Sequence, residues 1–421
     1  MLIKTLLNKT YPLKSFVYSS VSIMNSDSPD PELSYLLVKI KSRENGKPIC
    51  SGCGKRRSGY DTLSSRQYQF ISFWDVKCYF QYSPRRVDCK KCGVLIEAVP
   101  WSDGKSKLTI PLKLFLANWA KKLSWKEVAG SFKVSWESVF RSVKYVVEYG
   151  MEHRSLDNIT AIGIDEVKYK IGHQYLTLVY QIDEGMKRLI YIGKDRKAQT
   201  LYDFFSEFGT EKTAALKVIC TDMWRPYLKV IKEKASHTLN ILDRFHIRKH
   251  LNEAIDDVRK EEAKSLAANG YEPVLKNSRW ALMKNPSNRT PCQAKKIKEL
   301  LQYELKSIKC LLYCKDFEKF WMYTSVTWAE KFFDSWINNA MRSKIEPFKK
   351  KVKMLKNHKA LLLNWFRADG QYSSGPVEGL NNRVKLTMRK AYGFRELDVL
   401  KIALYHQLGG LPEPKSTHKF C

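Results

Sequence analysis

The sequence predicts a multidomain α/β protein, because three different patterns follow one another along its 421 residues. Apolar residues alternate with a period of two around residues 66–82, which is typical of β-strands that are buried on one face. Unbroken apolar runs, such as residues 159–164, predict buried strands of a central sheet. Residues 251–369 have a helical, Lys-rich composition. At about 150 residues a domain, the chain is long enough for roughly three domains.

The charge of the chain indicates a polyanionic partner. Lys and Arg number 74 against 43 Asp and Glu, which leaves a net charge of +31, and 44% of the residues are apolar. A folded chain this basic is typical of proteins that bind nucleic acid, and the alternative is a solvated basic surface without a dedicated partner. No apolar run reaches the roughly 18 residues of a membrane span, so integral membrane proteins are excluded.

Residues 1–33 are predicted to be a disordered leader. They are basic and Ser-rich, and their apolar stretches are too broken for a secretory signal. Two alternatives are a true start at Met24 and a targeting segment for an organelle.

Two CxxC pairs predict a zinc-binding β module over residues 34–108. Cys50 and Cys53 form the first pair, Cys89 and Cys92 form the second, and a glycine follows each pair. This spacing is typical of knuckles that turn two thiolates toward one ion, and four thiolates leave no open position, so the Zn²⁺ would be structural. Strands between the pairs would bring the knuckles together. Two redox-active or incidental pairs are the alternative.

Residues 109–155 are predicted to form a helix-turn-helix domain that binds DNA. Ser124 and Glu127 form a capping box for a short helix, and Ser135 caps a second helix. The beginning of the second helix would lie in a major groove. The residues predicted to contact DNA there are Trp136, Ser138 and Arg141. A generic helical hairpin is the alternative.

Residues 156–250 are predicted to form most of a mixed five-stranded sheet with helices. An apolar strand carries Asp165, two further strands return antiparallel to it, and after a helix a fourth apolar strand ends at Asp222. Three antiparallel strands, a helix and a further strand are the order of a ribonuclease H-like core. An Asp at a strand end is also a common turn former or helix cap, so neither acid identifies a site alone.

A third acid, Glu378, lies on a helix in residues 370–410, which are predicted to complete this catalytic core. Three converging carboxylates would hold two Mg²⁺ or Mn²⁺ ions about 4 Å apart for in-line phosphoryl transfer. The other polar residues of its helix face, at 100° per residue, are Asn381, Asn382, Lys385 and Arg389. The residues of this helix predicted to contact DNA are Asn382, Arg383, Lys385 and Arg389. A surface stripe of ion pairs is the alternative.

From about residue 34 onward the sequence resembles the ISL3 family of bacterial insertion-sequence transposases. The resemblance depends on the segments RRVDCKKCGVLIEAVPWSDGKSKLT (85–109), AIGIDEV (161–167), TDMWRPY (221–227), LDRFH (242–246), SRWALMKNP (278–286) and PVEGLNNRVKLTMRKAYGF (376–394). It implies a DDE triad at Asp165, Asp222 and Glu378. It also implies zinc ligands at Cys50, Cys53, Cys89 and Cys92.

The resemblance implies further roles between the second and third acids. Related transposases with a helical insertion carry a C/D-x-x-H signature, which Asp243 and His246 supply here, and residues 251–369 would be an all-α insertion domain that interrupts the core. His246 would orient a ligand or contact DNA, and the alternative is a structural histidine at a helix start. Trp224 and Trp280 are candidates for stacking on a DNA base.

The expected function is that of a DNA transposase. It would bind the terminal inverted repeats of an insertion sequence, hydrolyse DNA at the element ends and join the 3′-OH ends to target DNA. Its partners would be double-stranded DNA and further copies of the chain, as a homodimer or higher oligomer, in the bacterial cytoplasm on the nucleoid. The alternatives are a non-catalytic zinc and helix-turn-helix regulator and a structure-selective nuclease with a ribonuclease H-like fold.

Overall fold

The computed structural model describes residues 2–25, 34–104, 106–170, 172–372, 375–391 and 394–415. Contacts within the chain define two units, one of Met1–Ser155 with Val384–Cys421 and one of Leu156–Arg383. The fold is mixed α/β, as the sequence predicts. Among the described helices, none combines the length and the apolar character that a membrane crossing requires.

The N-terminal unit begins with β-structure. Its first elements are α1 (Ile3–Thr10), β1 (Phe16–Met24), β2 (Tyr35–Ser42), β3 (Ser58–Thr62), β4 (Arg66–Phe73), β5 (Val76–Tyr82), β6 (Arg85–Cys89) and β7 (Gly93–Ile96). Four strands form a sheet in the order β1-β2-β5-β4, and three form a second sheet in the order β3-β6-β7. Alternate residues of β4 and β5, including Tyr68, Phe70 and Phe80, are buried in one core, which confirms the predicted alternation over residues 66–82.

The prediction of a disordered leader is wrong for residues 2–25. Strand β1 pairs antiparallel with β2 from Phe16↔Ser42 to Met24↔Tyr35. Tyr18 is 1% exposed, and its hydroxyl donates a hydrogen bond to the Tyr11 carbonyl oxygen at 2.6 Å. The broken apolar pattern that speaks against a signal peptide is the alternation of a strand with one buried face. Residues 26–33 lie outside the described part of the chain.

Three helices follow the β-structure, α2 (Ile110–Lys122), α3 (Trp125–Ser131) and α4 (Trp136–His153). The Ser124 side chain accepts a hydrogen bond from the Glu127 amide, and the Glu127 carboxylate accepts one from the Ser124 amide at 2.7 Å. The side chain of Ser135 caps α4. Both capped helices are therefore confirmed, and Lys133, at φ +50°, forms the turn between them.

The second unit contains the predicted mixed five-stranded sheet. Its elements are β8 (Ala161–Lys170), β9 (Gln174–Gln181), β10 (Arg188–Lys194), α5 (Ala198–Phe208), α6 (Thr210–Ala215), β11 (Val218–Thr221), α7 (Arg225–Lys234) and β12 (Leu239–Leu242). The strand order is β10-β9-β8-β11-β12. Strands β8, β9 and β10 are antiparallel, whereas β11 runs parallel to both β8 and β12. Helices α5 and α7 cover one face through Phe204, Phe205 and Val230.

Helices make up all the regular structure described between β12 and residue 372. They are α8 (Arg244–Ala268), α9 (Arg279–Met283), α10 (Pro291–Leu300), α11 (Lys306–Glu318), α12 (Val326–Met341), α13 (Glu346–Asn357) and α14 (Lys359–Arg367), with two short 3₁₀ turns. They share a core of aromatic side chains that includes Phe317, Phe333 and Phe348. The core reaches Leu242 of β12, so these helices pack directly on the edge of the sheet.

The last two helices are α15 (Gly375–Lys390) and α16 (Leu397–Leu408). The prediction that residues 370–410 complete the sheet unit holds only for the beginning of α15, because residues from Val384 onward group with the N-terminal unit. The reason is that α16 packs on α4, where Ile402 and Tyr405 join the core of α2 and α4.

Candidate active site and cysteine cluster

The four cysteines of the two CxxC pairs lie together in the N-terminal unit. Their Sγ atoms are all within 4.8 Å of one another. Each pair is closed by a glycine with positive φ, Gly54 at +69° and Gly93 at +75°, a conformation that side chains with a Cβ rarely adopt. The predicted convergence of Cys50, Cys53, Cys89 and Cys92 is therefore confirmed.

The surroundings of the cluster fit a divalent cation. The guanidinium of Arg57 is the main cause that lowers the pKa of Cys89, whereas burial and then the neighbouring thiols raise the pKa of Cys92. A Cβ on Gly52 would lie 3.1 Å from the Cys92 sulfur, so the glycine leaves room for the cluster. Four thiolates at this separation repel one another unless a cation lies between them, and the cluster can bind zinc.

Asp165 and Asp222 come from neighbouring parallel strands. Cys220 of β11 pairs in parallel with Gly163 of β8. Asp222 and Asp165 each follow two residues later, so both acids come to the same edge of the sheet. The Asp165 carboxylate accepts hydrogen bonds from the Glu166 amide at 2.8 Å and from the Asn381 side-chain amide at 2.6 Å. Burial is the main cause that raises the pKa of Asp165, and the charge of Asp222 contributes to the increase.

Helix α15, which carries Glu378, packs beside Asp165. A Cβ built on Gly163 would lie only 2.3 Å from a Val377 methyl group, so the glycine is needed for the helix to approach β8. The Tyr180 hydroxyl donates a hydrogen bond to the Asn381 side-chain oxygen at 2.6 Å. Val377 and Asn381 therefore hold α15 against the sheet. Glu378 lies between these two residues in the sequence, in the first turn of α15, and its side chain is exposed.

The three acids are less tightly grouped than the four cysteines. The four cysteine sulfur atoms all lie within 4.8 Å of one another. Among the described residues, the carboxylate oxygens of Asp165, Asp222 and Glu378 are not all this close together. Three carboxylates that surround two ions about 4 Å apart need a wider arrangement than four thiolates around one ion.

Arg196 and Glu166 belong to the acidic site although the sequence did not single them out. The Arg196 guanidinium lies 2.9 Å from a Glu166 carboxylate oxygen and 3.2 Å from Asp222 Oδ2. It also lies 4.6 Å from the centre of the Trp224 ring. The other oxygen of Asp222 accepts a hydrogen bond from the Trp224 amide at 2.9 Å. Trp224, a candidate for base stacking, is thus half-buried against Arg196.

The electrostatics of this site favour a cation. Burial is the main cause that raises the pKa of Glu166 to about 7, and Asp222 and Asp165 add to the increase while Arg196 opposes it. The Glu166 oxygen nearest to Arg196 is buried, and its contact with the guanidinium is an ion pair without hydrogen-bond geometry. Clustered, desolvated carboxylates are the hard oxygen donors that Mg²⁺ and Mn²⁺ prefer.

The DRFH segment lies at the beginning of α8, next to the acids. Asp243 caps the helix, since one carboxylate oxygen accepts a hydrogen bond from the Phe245 amide at 2.8 Å, and the other lies 2.8 Å from His246 Nδ1. This contact is the main cause that raises the pKa of His246, and Asp165 and Asp222 contribute. His246 therefore has both the capping partner of a structural histidine and the acids as electrostatic neighbours.

The residues predicted to contact DNA lie mostly at the surface. Trp136 is 45% exposed and Trp280 is 55% exposed. Arg141 pairs with Glu137 at 2.8 Å, and Ser138 lies against Ser135. Four further residues of this group are exposed on α15, namely Asn382, Arg383, Lys385 and Arg389. Their contacts with DNA stay predictions.

No local signal in the sequence distinguishes Arg196 from the other basic residues of the chain. Glu166 had a signal, because it follows Asp165 directly, but strand geometry turns neighbouring side chains to opposite faces. Glu166 nevertheless belongs to the site, because Arg196 contacts both Glu166 and Asp222.

Comparison with known proteins identifies the family. The family model described as "Transposase", that of the ISL3 transposases, matches residues 162–404. The transposase for insertion sequence element IS1001 of Bordetella parapertussis is 25% identical over 351 residues, which are 83% of this chain and 86% of that protein. The transposase for IS1557 of Mycobacterium tuberculosis is 25% identical over 410 aligned positions, and the alignment covers 91% of each chain. Because the family model covers more than half of it, the chain belongs to the ISL3 family of insertion-sequence transposases.

Proposed function

We propose that this transposase cleaves DNA at the ends of its insertion sequence and joins the 3′-OH ends to target DNA. The observation that carries the proposal is the position of Asp165 on β8 and of Asp222 directly after the adjacent parallel strand β11, with the helix of Glu378 packed beside Asp165 through Val377 and Asn381. The five-stranded sheet is then a ribonuclease H-like core, and the helices between β12 and α15 are an insertion into it.

Asp165, Asp222 and Glu378 would hold two Mg²⁺ or Mn²⁺ ions. The fit rests on the donor set, which consists of carboxylates, and on the buried Glu166 oxygen, whose contact with Arg196 is an ion pair without hydrogen-bond geometry. When bound, the two ions would supply Lewis acidity at the attacking and the leaving oxygen of an in-line displacement.

The neighbouring residues orient the acids. The Glu166 amide and the Asn381 side chain each hold one oxygen of Asp165. The Trp224 amide and Arg196 do the same for Asp222. Because every oxygen of these two carboxylates has a fixed donor, their positions are set before DNA arrives, which lowers the cost of reorganisation during the reaction.

The reaction needs two displacements at phosphorus. In the first, water attacks the phosphodiester at the element end, a P–O bond forms and the bond to the 3′ oxygen breaks. In the second, that 3′-OH attacks a phosphodiester of target DNA, and again one P–O bond forms while one breaks. Neither step requires a covalent bond to the protein, which agrees with a site made of carboxylates.

DNA recognition is assigned to the N-terminal unit and to α15. The cysteine module with bound zinc and the helix pair α3–α4 would read the terminal repeats, with Trp136 and Arg141 near the beginning of α4. Lys385 and Arg389 would contact phosphates. Since two element ends are cut in one assembly, we expect a dimer or higher oligomer on DNA.

Replacement of one acid tests the proposal. In Mg²⁺ or Mn²⁺, wild-type protein should nick a plasmid that carries the element ends at their 3′ boundaries. Asp165→Asn should cleave at least about 10³-fold more slowly, roughly 4 kcal/mol in the barrier, because the carboxylate charge is lost. Its affinity for an end fragment in a gel-shift assay should stay within about threefold of wild type.

Asp203→Asn, an exposed residue of α5, is the matched control and should cleave like wild type. Binding of ends without any cleavage by wild-type protein would support the regulator instead. Equal cleavage of branched DNA without the repeats would support the structure-selective nuclease, and normal cleavage by Asp165→Asn would contradict the assigned site.

A further inference from the structure

A cavity of about 400 Å³ lies among the helices of the second unit. Helices α8 and α11 form its walls, together with residues 282–289. The basic residues that line it are Arg244, Arg248, Lys284, Arg289 and Lys315. Within the described part of the chain, its acidic lining is Glu318. A cavity of this size and charge has room for a small anionic group.

Arg289 is the residue that most clearly requires a ligand. Its Nε and Nη2 atoms are buried and have no hydrogen-bond partner among the described residues. Arg289 as a whole is half-buried, and this partial burial lowers its pKa. Leaving such donors unsatisfied costs free energy, so a side chain in this state is typical of a site that an anion completes.

The other described charged residues that line the cavity do not pair with Arg289. Glu318 lies 3.3 Å from Arg248 and therefore offsets that residue. Arg244 lies between two aromatic rings, 4.5 Å from the centre of Trp321 and 4.8 Å from that of Trp365. These rings fix the guanidinium of Arg244 beside the cavity.

We propose that this cavity binds a phosphate group of a nucleic-acid strand, with Arg289 as the main ligand and Arg244 and Lys284 as further cations. Arginine guanidinium and lysine ammonium groups are the usual protein ligands of phosphate. This inference rests on the proposed function, because it assigns the cavity to DNA that the catalytic acids act on.

The position of the cavity favours nucleic acid over free phosphate. Arg244 and Phe245, which line it, lie in the first turn of α8 between Asp243 and His246, and that pair is an electrostatic neighbour of Asp165. Residues of the beginning of α8 thus line the cavity and also interact electrostatically with the acids. Phe245 is 57% exposed and offers a ring on which a base can stack.

The first test measures the ligand-free protein. Arg289→Met keeps an unbranched apolar stem and removes the unsatisfied donors, so the Tm of the full-length protein without anions should rise by about 2–4 °C. A lower Tm for this variant would contradict the view that Arg289 is kept in an unfavourable state for a ligand.

The second test measures anion binding without added metal. Inorganic pyrophosphate at saturation should raise the Tm of wild type by about 5 °C. Arg289→Gln should lose this shift, and Lys295→Gln, an exposed cation of α10 outside the cavity, should keep it. Equal shifts in all three proteins would overturn the site.

The third test identifies the source of the phosphate. A fluorescent single-stranded 12-nucleotide probe should bind Arg289→Gln about tenfold more weakly than Lys295→Gln, with a salt slope smaller by about 0.7. If the two variants bind the probe equally while pyrophosphate still discriminates them, the ligand is free phosphate and the assignment to nucleic acid is wrong. Pyrophosphate should still raise the Tm of Asp165→Asn above that variant's own ligand-free value by about 5 °C, which separates this inference from the proposed catalysis.

Discussion

The cysteine cluster and the acidic site gather anionic side chains in two different ways. The cysteines occur as two close pairs, each closed by a glycine turn, and adjacent strands bring the pairs within 4.8 Å of one another. The acids come from two strands and a helix that are far apart in the chain, and Arg196 already balances part of their charge. The comparison teaches that the four thiols would need a bound cation to balance them as thiolates, whereas the acidic site already contains a cation of the chain, Arg196.

The largest expected effect is the loss of the metal from the cysteine cluster. Cys50→Ser should abolish zinc binding and destabilise the N-terminal unit on the order of 10 kcal/mol, because the folding of small metal-bound modules is coupled to metal binding. Zinc content and the thermal transition of the purified protein measure this. Cys292→Ser, at an exposed cysteine outside the cluster, is the control. An unchanged transition in Cys50→Ser would make the cluster incidental.

A smaller effect is expected when the internal cation of the acidic site is removed. Arg196→Gln should lower the free energy of unfolding by about 1–3 kcal/mol in metal-free buffer, since Glu166 and Asp222 lose their shared partner. Urea denaturation measures this. Lys197→Gln, at the neighbouring residue whose side chain is 70% exposed, should change it by less than about 0.5 kcal/mol. Equal values for the two variants would show that the acids need no internal cation.

The smallest effect concerns a buried histidine of the N-terminal unit. It separates the loss of stability at low pH that comes from burial of this histidine from the loss that comes from protonation of the cysteines. Burial lowers the pKa of His406 from 6.5 to about 3, and the charge of Lys121 adds to this. Below pH 6.5 the unfolded chain therefore binds a proton that the folded chain does not, so stability falls as the pH decreases. The loss attributable to His406 should be about 2 kcal/mol at pH 5.

His406→Leu should remove this part of the pH dependence. The measurement is the free energy of unfolding at pH 7 and pH 5 for wild type and variant, with zinc present at both. His153→Gln, at an exposed histidine of α4, should keep the dependence of the wild type. The same pH dependence in His406→Leu would mean that other groups cause the whole effect.

The sequence predicts those parts of the molecule that short-range rules determine. The CxxC pairs, the capping box at Ser124 and the first four apolar strands of the central sheet depend on spacing over a few residues. The position of Asn381 on the face of Glu378 also follows from helical periodicity, but its contact with Asp165 depends on how α15 packs on β8.

Other parts depend on partners that are distant in the chain. Strand β1 is stabilised by its pairing with β2 and by a core that includes Trp101, so the segment of residues 1–33 gives little sign of order by itself. The place of α16 on α4 and the role of Arg196 have the same origin. In each case the residues are ordinary, and only the fold shows what they contact.

The return of the C-terminal segment to the N-terminal unit has a consequence for synthesis of the protein. Ile402, Tyr405 and Leu411 cover apolar side chains of α2 and α4, and Leu411 approaches Gly150 so closely that an added Cβ would lie 2.6 Å away. At roughly 5–20 residues per second, a ribosome makes this cover tens of seconds after the helices that it protects. A chain that has not yet been extended past Leu411 therefore exposes that apolar surface to chaperones and proteases.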